Sequence, residues 1–501
     1  MERGSPAFTL PPILHSLHPS EFFTYFDRNQ LIINIKKPIM KPLRFAVFSL
    51  TATSLLALGT ACTSDTNPFD VKATITKTEP AKIQLHLNVA ATRADMSTDA
   101  EKEIKKVSIY VFNEEGLLET FQSNKTVSDG TTESMEITSG MKTVYAVAGK
   151  DLTNTSASIA IGMTISDFED IVFDSKMTDL NSSTGFMMVG KGQQMVYASA
   201  VNNISIELVR LIAKAQLRLG DINTEAFGFT HGNATYYVAQ TCNRMRLQPK
   251  GSDILAPYSK HTLGTYDGYT RLTSTTPNNG VTGEFTAAGC AYLSENIVEN
   301  PKAGNTTFLI LEIPLTPQYN YDYTTYNNQL TSSSLSNPAN VYTFYAVGIV
   351  DAVNGHEDFV MDGPNKRVVT FTNSKAAEDY AKALNAGTTS GMTVSEFDSP
   401  MRAAATRASN SDYTEFKVVM FSNKNAYYRI NITGEDGTLR VDRNTFYKVT
   451  VNSIKSLGCH DMELLYPTDP ESDYTTPTSA MLGVKFRVAE WDEVDQDVDL
   501  D

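Results

Sequence analysis

The chain has 501 residues, 41% of them apolar and 20% charged, enough for two or three domains with sizeable cores. Its net charge of −15 deepens to −19 once residues 1–93 are set aside, because 32 basic and 51 acidic residues then remain, and such a chain repels nucleic acid and anionic membrane surfaces. The four cysteines show no CxxC spacing, the histidines beyond residue 93 (His231, His261, His356 and His460) fall in no HExxH pattern, and no GxSxG or Gly-rich phosphate loop occurs, so no metal, cofactor or catalytic residue is assigned and the chain reads as a non-enzyme.

Near the N-terminus, Lys41 and Arg44 precede the apolar run FAVFSLTATSLLAL, Phe45 to Leu58, which is short for a bilayer span and suited to a signal-peptide core. Gly59-Thr60-Ala61-Cys62 follows, small residues ahead of a thiol, so Cys62 is the expected lipidated residue of a lipoprotein. Gly59 stands where such a signal commonly has Leu. Residues 40–61 are read as the signal peptide, Met40 as the start, and 1–39 as a non-native extension that would otherwise bury the signal. Of the other cysteines, Cys242 and Cys290 could pair in an exported protein, but three separate thiols, with Cys459 the third, are the preferred reading.

Beyond the signal, the alternation IQLHLNV at 83–89 puts Ile83, Leu85, Leu87 and Val89 on one face, a half-buried strand. It runs into Ala90-Ala91-Thr92-Arg93-Ala94, a small-residue loop, and then VSIYVF at 107–112, a turn at Asn113-Glu114-Glu115-Gly116, and TVYAVAG at 143–149. Residues 163–181 carry apolar side chains at helical spacing. The run ISIELVRLIAKAQLRL at 204–219 is interrupted by Arg210 and Lys214, taken as a solvated or snorkelling face, and TYYVAQTCNRMRL at 235–247 closes a first domain. Later strands are predicted at 308–315, 343–353, 416–421, 427–432 and 444–454, with a short helix at 376–387.

Four segments taken together, IKKVSIYVF at 104–112, RLIAK at 210–214, RNTFYKVTVNSIKSLG at 443–458 and VKFRVAEW at 484–491 with Val498-Asp499-Leu500 beyond it, resemble the fimbrillins of Bacteroidales, and within them the major subunit of the short, Mfa-type fimbria. The resemblance implies a mostly β chain of two transthyretin-like β-sandwich domains with a few short helices and a C-terminal donor strand. It implies delivery to the outer membrane through the precursor lipid, removal of the leading segment by an arginine-specific protease, and head-to-tail polymerisation by strand exchange into a cell-surface fimbrium. Anchor and tip subunits, and adhesion receptors on host or bacterial surfaces, are the implied partners. Arg93 and Ala94 match the family's processing position; the identical Ala405-Thr406-Arg407-Ala408 has no alternating strand before it. The resulting division is 62–93 propeptide, 94–255 first sandwich, 256–483 second sandwich and 484–501 donor segment.

The residues support this scheme on physical grounds. Loss of strand 83–89 would uncover an apolar groove beside an unpaired edge, a strong site for strand addition. In the tail, Val494, Val498 and Leu500 share one parity while Asp495, Asp497, Asp499 and Asp501 share the other, an apolar face with an acidic back. A frayed acidic tail is the bland alternative. The rival functions are a glycan-binding surface lipoprotein using Tyr-rich loops such as QYNYDYTTYNN at 318–328, and an anchor or tip subunit.

Overall fold

The computed structural model describes residues 79–89, 97–152, 158–174, 180–182, 185–249, 260–262, 265–351, 356–362, 365–386, 416–434, 436–455, 457–467, 469–471 and 482–490. Alternating and β-branched segments form strands, and these strands gather around two main apolar cores.

The first core is enclosed by β1 (Pro80–Val89), β2 (Lys106–Phe112), β3 (Leu118–Ser128), β4 (Thr131–Thr132), β5 (Met135–Thr138), β6 (Gly140–Ala148), β7 (Met188–Val196) and β8 (Val201–Arg210). Their order is β8-β7-β6-β2-β3-β4-β1-β5, and β1 also pairs with β8, so the sheet closes on itself through β1. Short helix α1 (Asp99–Lys102) precedes β2, and α2 (Ile165–Glu169) buries Phe168 against Tyr110, Phe112 and Tyr145. The Asn113 turn forms as the sequence predicts: the Asn113 side-chain oxygen accepts from the amides of Glu115 and Leu117, and Gly116 takes φ +74.

The second core begins at Ala213, on β9 (Ile212–Leu219). The elements that follow are β10 (Phe229–His231), β11 (Thr235–Cys242), β12 (Ala291–Ser294), β13 (Phe308–Pro317), β14 (Thr343–Asp351), helix α3 (Ser374–Asn385), β15 (Phe416–Ser422), β16 (Asn425–Asn431), β17 (Thr445–Ile454) and β18 (Leu482–Glu490). One sheet runs β12-β9-β17-β18, with β9 parallel to β17 and β18 antiparallel to it at the edge. Facing strands β13, β11 and β16 supply Leu309, Leu311, Ile313, Tyr236, Val238, Tyr428 and Ile430. Helix α3 packs Ala377, Tyr380 and Ala381 with Val347 of β14 and with Tyr321 and Tyr323 of the hairpin 319–334, in a smaller third cluster.

The packing differs from the expected division at 255/256. The run 204–219 is two strands, one in each core, with the crossover at Leu211. Tyr236 and Val238 belong to the second core, whereas Met245 and Leu247 return to the first, where Arg244–Arg246 pairs with Val172–Asp174. No Gly or Pro in these runs marks where one core hands over to the other. The helix predicted over 163–181 is shorter, ending at Glu169 before the strand Val172–Asp174. Residues 484–490, assigned to the donor segment, pair with β17 as part of β18.

Candidate functional site

The seat of β1 is built on the alternation of its sequence. Ile83 and Leu85 are 0% exposed and Leu87 3%, Ala81 is buried beside them, and Val89 is half-buried and packs on the same core. Their neighbours on β8 are Ile204, Ile206 and Leu208, also buried. Burying the three innermost aliphatic side chains stabilises the fold by about 5–9 kcal/mol.

The backbone of β1 is paired on both sides. Lys82 to Val89 run parallel to Val201 to Leu208, while Pro80 to Ile83 run antiparallel to Met135 to Thr138. Where β5 ends, β4 and its turn take over: the Leu87 amide donates to the Gly130 carbonyl at 2.7 Å and the Leu85 amide to the Thr132 hydroxyl at 3.1 Å. Gly130 has φ +71, and a Cβ there would lie 2.9 Å from the Leu87 carbonyl oxygen, so this close approach requires glycine. On the outer face Gln84 donates to the Thr132 carbonyl, His86 bonds Asn203 and Thr131, and Asn202 donates to the Lys82 carbonyl. Withdrawing β1 would therefore strand the pairing groups of β8 and β5 on either side of an apolar trough. A cavity of about 730 Å³ lies at the Pro80 end, lined by Ala81, Glu119, Ile137, Ser199 and Val201 among others.

Cys62, Arg93, Ala94, Val494, Val498 and Leu500 lie outside the described residues. Of the predicted site residues, the fold brings together Ile83, Leu85, Leu87 and Val89, all facing one core.

Arg210 and Lys214 require correction. They are not on a solvated face: both are buried, at the crossover between the cores. Lys214 Nζ donates to both carboxylate oxygens of Glu101, at 3.1 and 3.0 Å, and the two side chains are each 0% exposed. The Tyr292 hydroxyl adds a 2.9 Å bond to Glu101, and Arg210 Nε donates to the Glu101 carbonyl at 2.8 Å. Lys214 also sits 5.0 Å above the Phe446 ring. Burial holds the Lys214 ammonium below its ordinary pKa, against the opposing pull of Glu101. Nearby, Arg443 pairs with Glu295 and donates to the carbonyls of Leu247 and Arg246, a second polar fastening between the cores. Sequence reading missed this junction. The one available signal was Thr98-Asp99-Ala100-Glu101, a capping box that the structure shows formed.

Cys242, Cys290 and Cys459 are three separate thiols. Burial pushes Cys242 up to about 11 and Cys290 up to about 12. Among the described residues no cluster of His, Cys, Asp or Glu is placed to hold a metal ion, and no helix is long and apolar enough to cross a membrane.

Taken together, these features define a mostly β protein of two main cores whose first described strand is paired along both edges within its sheet. Residues 81–223 match the family model described as Major fimbrial subunit protein (FimA). Among solved structures, a fimbrilin (fimA) from Porphyromonas gingivalis W83 is similar at 12% identity and a TM-score of 0.43, covering 84% of this chain and 100% of its own. A Parabacteroides distasonis ATCC 8503 protein described in terms of cell adhesion is similar at 15% identity and TM-score 0.42, with 82% and 100% covered. The tip fimbrial protein Mfa3 from Porphyromonas gingivalis, with a C-terminal truncation, is similar at 13% and TM-score 0.34, with 82% and 100% covered. No curated protein sequence matches.

Proposed function

We propose that the chain is the stalk subunit of a cell-surface fimbria, made as a lipoprotein precursor anchored to the outer membrane through Cys62 and activated by an arginine-specific protease that cuts between Arg93 and Ala94. Loss of β1 opens the trough, and the tail of a neighbouring subunit, through Val494, Val498 and Leu500, fills it. The subunits then form a head-to-tail polymer that ends in anchor and tip subunits and supports adhesion; the chain itself catalyses nothing.

The observation that carries this reading is the seat of β1: a strand at the start of the described chain, buried on one face, paired along both edges, and followed after one short segment by the rest of the fold. The family match over 81–223 supports it, since it covers this strand and its neighbours. The pairing of 482–490 with β17 supports seeking the donor beyond β18, in the segment that holds Val494, Val498 and Leu500.

Arg93→Ala tests the proposal. The expected outcome is a folded precursor, with unchanged thermal unfolding, that yields no filaments in electron micrographs. Normal filaments from that variant would sink the processing step.

A further inference from the structure

We infer that the buried Glu101 cluster is a clamp that fixes where the removable segment ends, holding the chain from Ser97 onward in place when β1 departs. The inference rests on the reading that cleavage after Arg93 removes β1.

Helix α1 has only four residues, too short to be stable by itself. Its N-cap is closed by Thr98, whose amide donates to Glu101 Oε2 at 2.6 Å while its hydroxyl accepts from the Glu101 amide at 3.3 Å. The remaining hold comes from outside the helix. The Glu101 carboxylate is taken up by Lys214 of β9 and Tyr292 of β12, and its carbonyl by Arg210 of β8. A carboxylate with no exposure is retained only while such partners neutralise it, so this short segment cannot leave without uncovering a buried charge.

The position of the clamp gives it consequence. Val89, at the end of β1, lies opposite Leu208, two residues before Arg210. Val89 and Glu101 are thus both held on one stretch, 208–214, the first by strand pairing and the second by the clamp. A cut after Arg93 releases β1 and nothing beyond it. The new N-terminus then has only Ala94, Asp95 and Met96 ahead of the buried Ser97. Three residues reach about 10 Å when fully extended, whereas a strand of β1's length occupies about 33 Å. The shortened chain is therefore too short to refill its own trough, which stays open to another chain.

Hydrogen exchange read by mass spectrometry tests this, on the intact precursor and on the same protein after treatment with an arginine-specific protease. In the native sequence the amides of Glu101 and Glu103, bonded to the Thr98 and Asp99 carbonyls, should stay protected before and after β1 is lost. In Glu101→Gln they should exchange at least about tenfold faster in both forms. Should Glu101→Gln fail to fold, Tyr292→Phe removes one bond to the carboxylate and should speed exchange about three- to tenfold. Protection lost with β1 in the native sequence, or native protection in the variants, overturns the clamp. Failure of the protease to cut at Arg93 overturns the processing reading instead, and the precursor comparison still tests the clamp.

Discussion

At the scale of single residues, the junction shows how burial can reverse the ordinary meaning of a charge. Arg210 and Lys214 follow an alternating apolar run, and a basic residue in such a place is by default solvated. Their partner Glu101 is 113 residues distant from Lys214, and no local pattern carries that pairing. Lys214→Met should lower precursor stability by about 3–5 kcal/mol in denaturant titration, because Glu101 would stay buried without its counter-charge. Combining it with Glu101→Leu should recover much of the loss; equal destabilisation by the single and double variants would show that the pair is not coupled. The thiols give a second residue-level expectation. With Cys242 at about 11 and Cys290 at about 12, the thiolate fraction at pH 8 is small, and iodoacetamide should label neither in the folded protein while labelling both after denaturation. Rapid labelling of Cys290 in the native state would contradict its raised pKa.

At the scale of elements, the period-two alternation made β1 legible, since Ile83, Leu85 and Leu87 point inward as their spacing predicts. The strands at β2, β6, β13, β15 and β17 were legible as apolar and β-branched runs, and helix α3 as a short segment ending near a glycine. The handover between cores at Leu211 was not, because β8 and β9 join without a Gly or Pro and the charge at Arg210 reads as a solvated position. The excursion of Met245 and Leu247 back to the first core was hidden for the same reason. Two predictions belong here. Leu85→Ala should destabilise the precursor by about 2–5 kcal/mol by opening a cavity under β1. The same variant after protease treatment should unfold at the wild-type temperature, since the altered strand has left; an equal deficit in the processed form would mean that β1 is retained. For the donor, Val498→Asp with Leu500→Asp should abolish filaments in electron micrographs of the processed protein and spare monomer unfolding, through the cost of charge in an apolar trough. Filaments of ordinary length would place the donor elsewhere.

At the scale of the whole molecule, the first sheet closes on itself only through β1, which pairs with β8 on one side and with β4 and β5 on the other. A subunit that loses β1 has a single large defect, apolar inside and lined by unpaired backbone, and a strand supplied by a neighbour is the form of matter that fits it. The Glu101 and Arg443 contacts tie the second core to the first, so that a strand taken up by one core would transmit load through both. The central claim is that the polymerised subunit lacks β1. N-terminal sequencing and intact mass of subunits from purified surface filaments test it most directly: the account predicts a chain beginning at Ala94 with no attached lipid, and filaments built of chains that still carry residues 80–89 would contradict it.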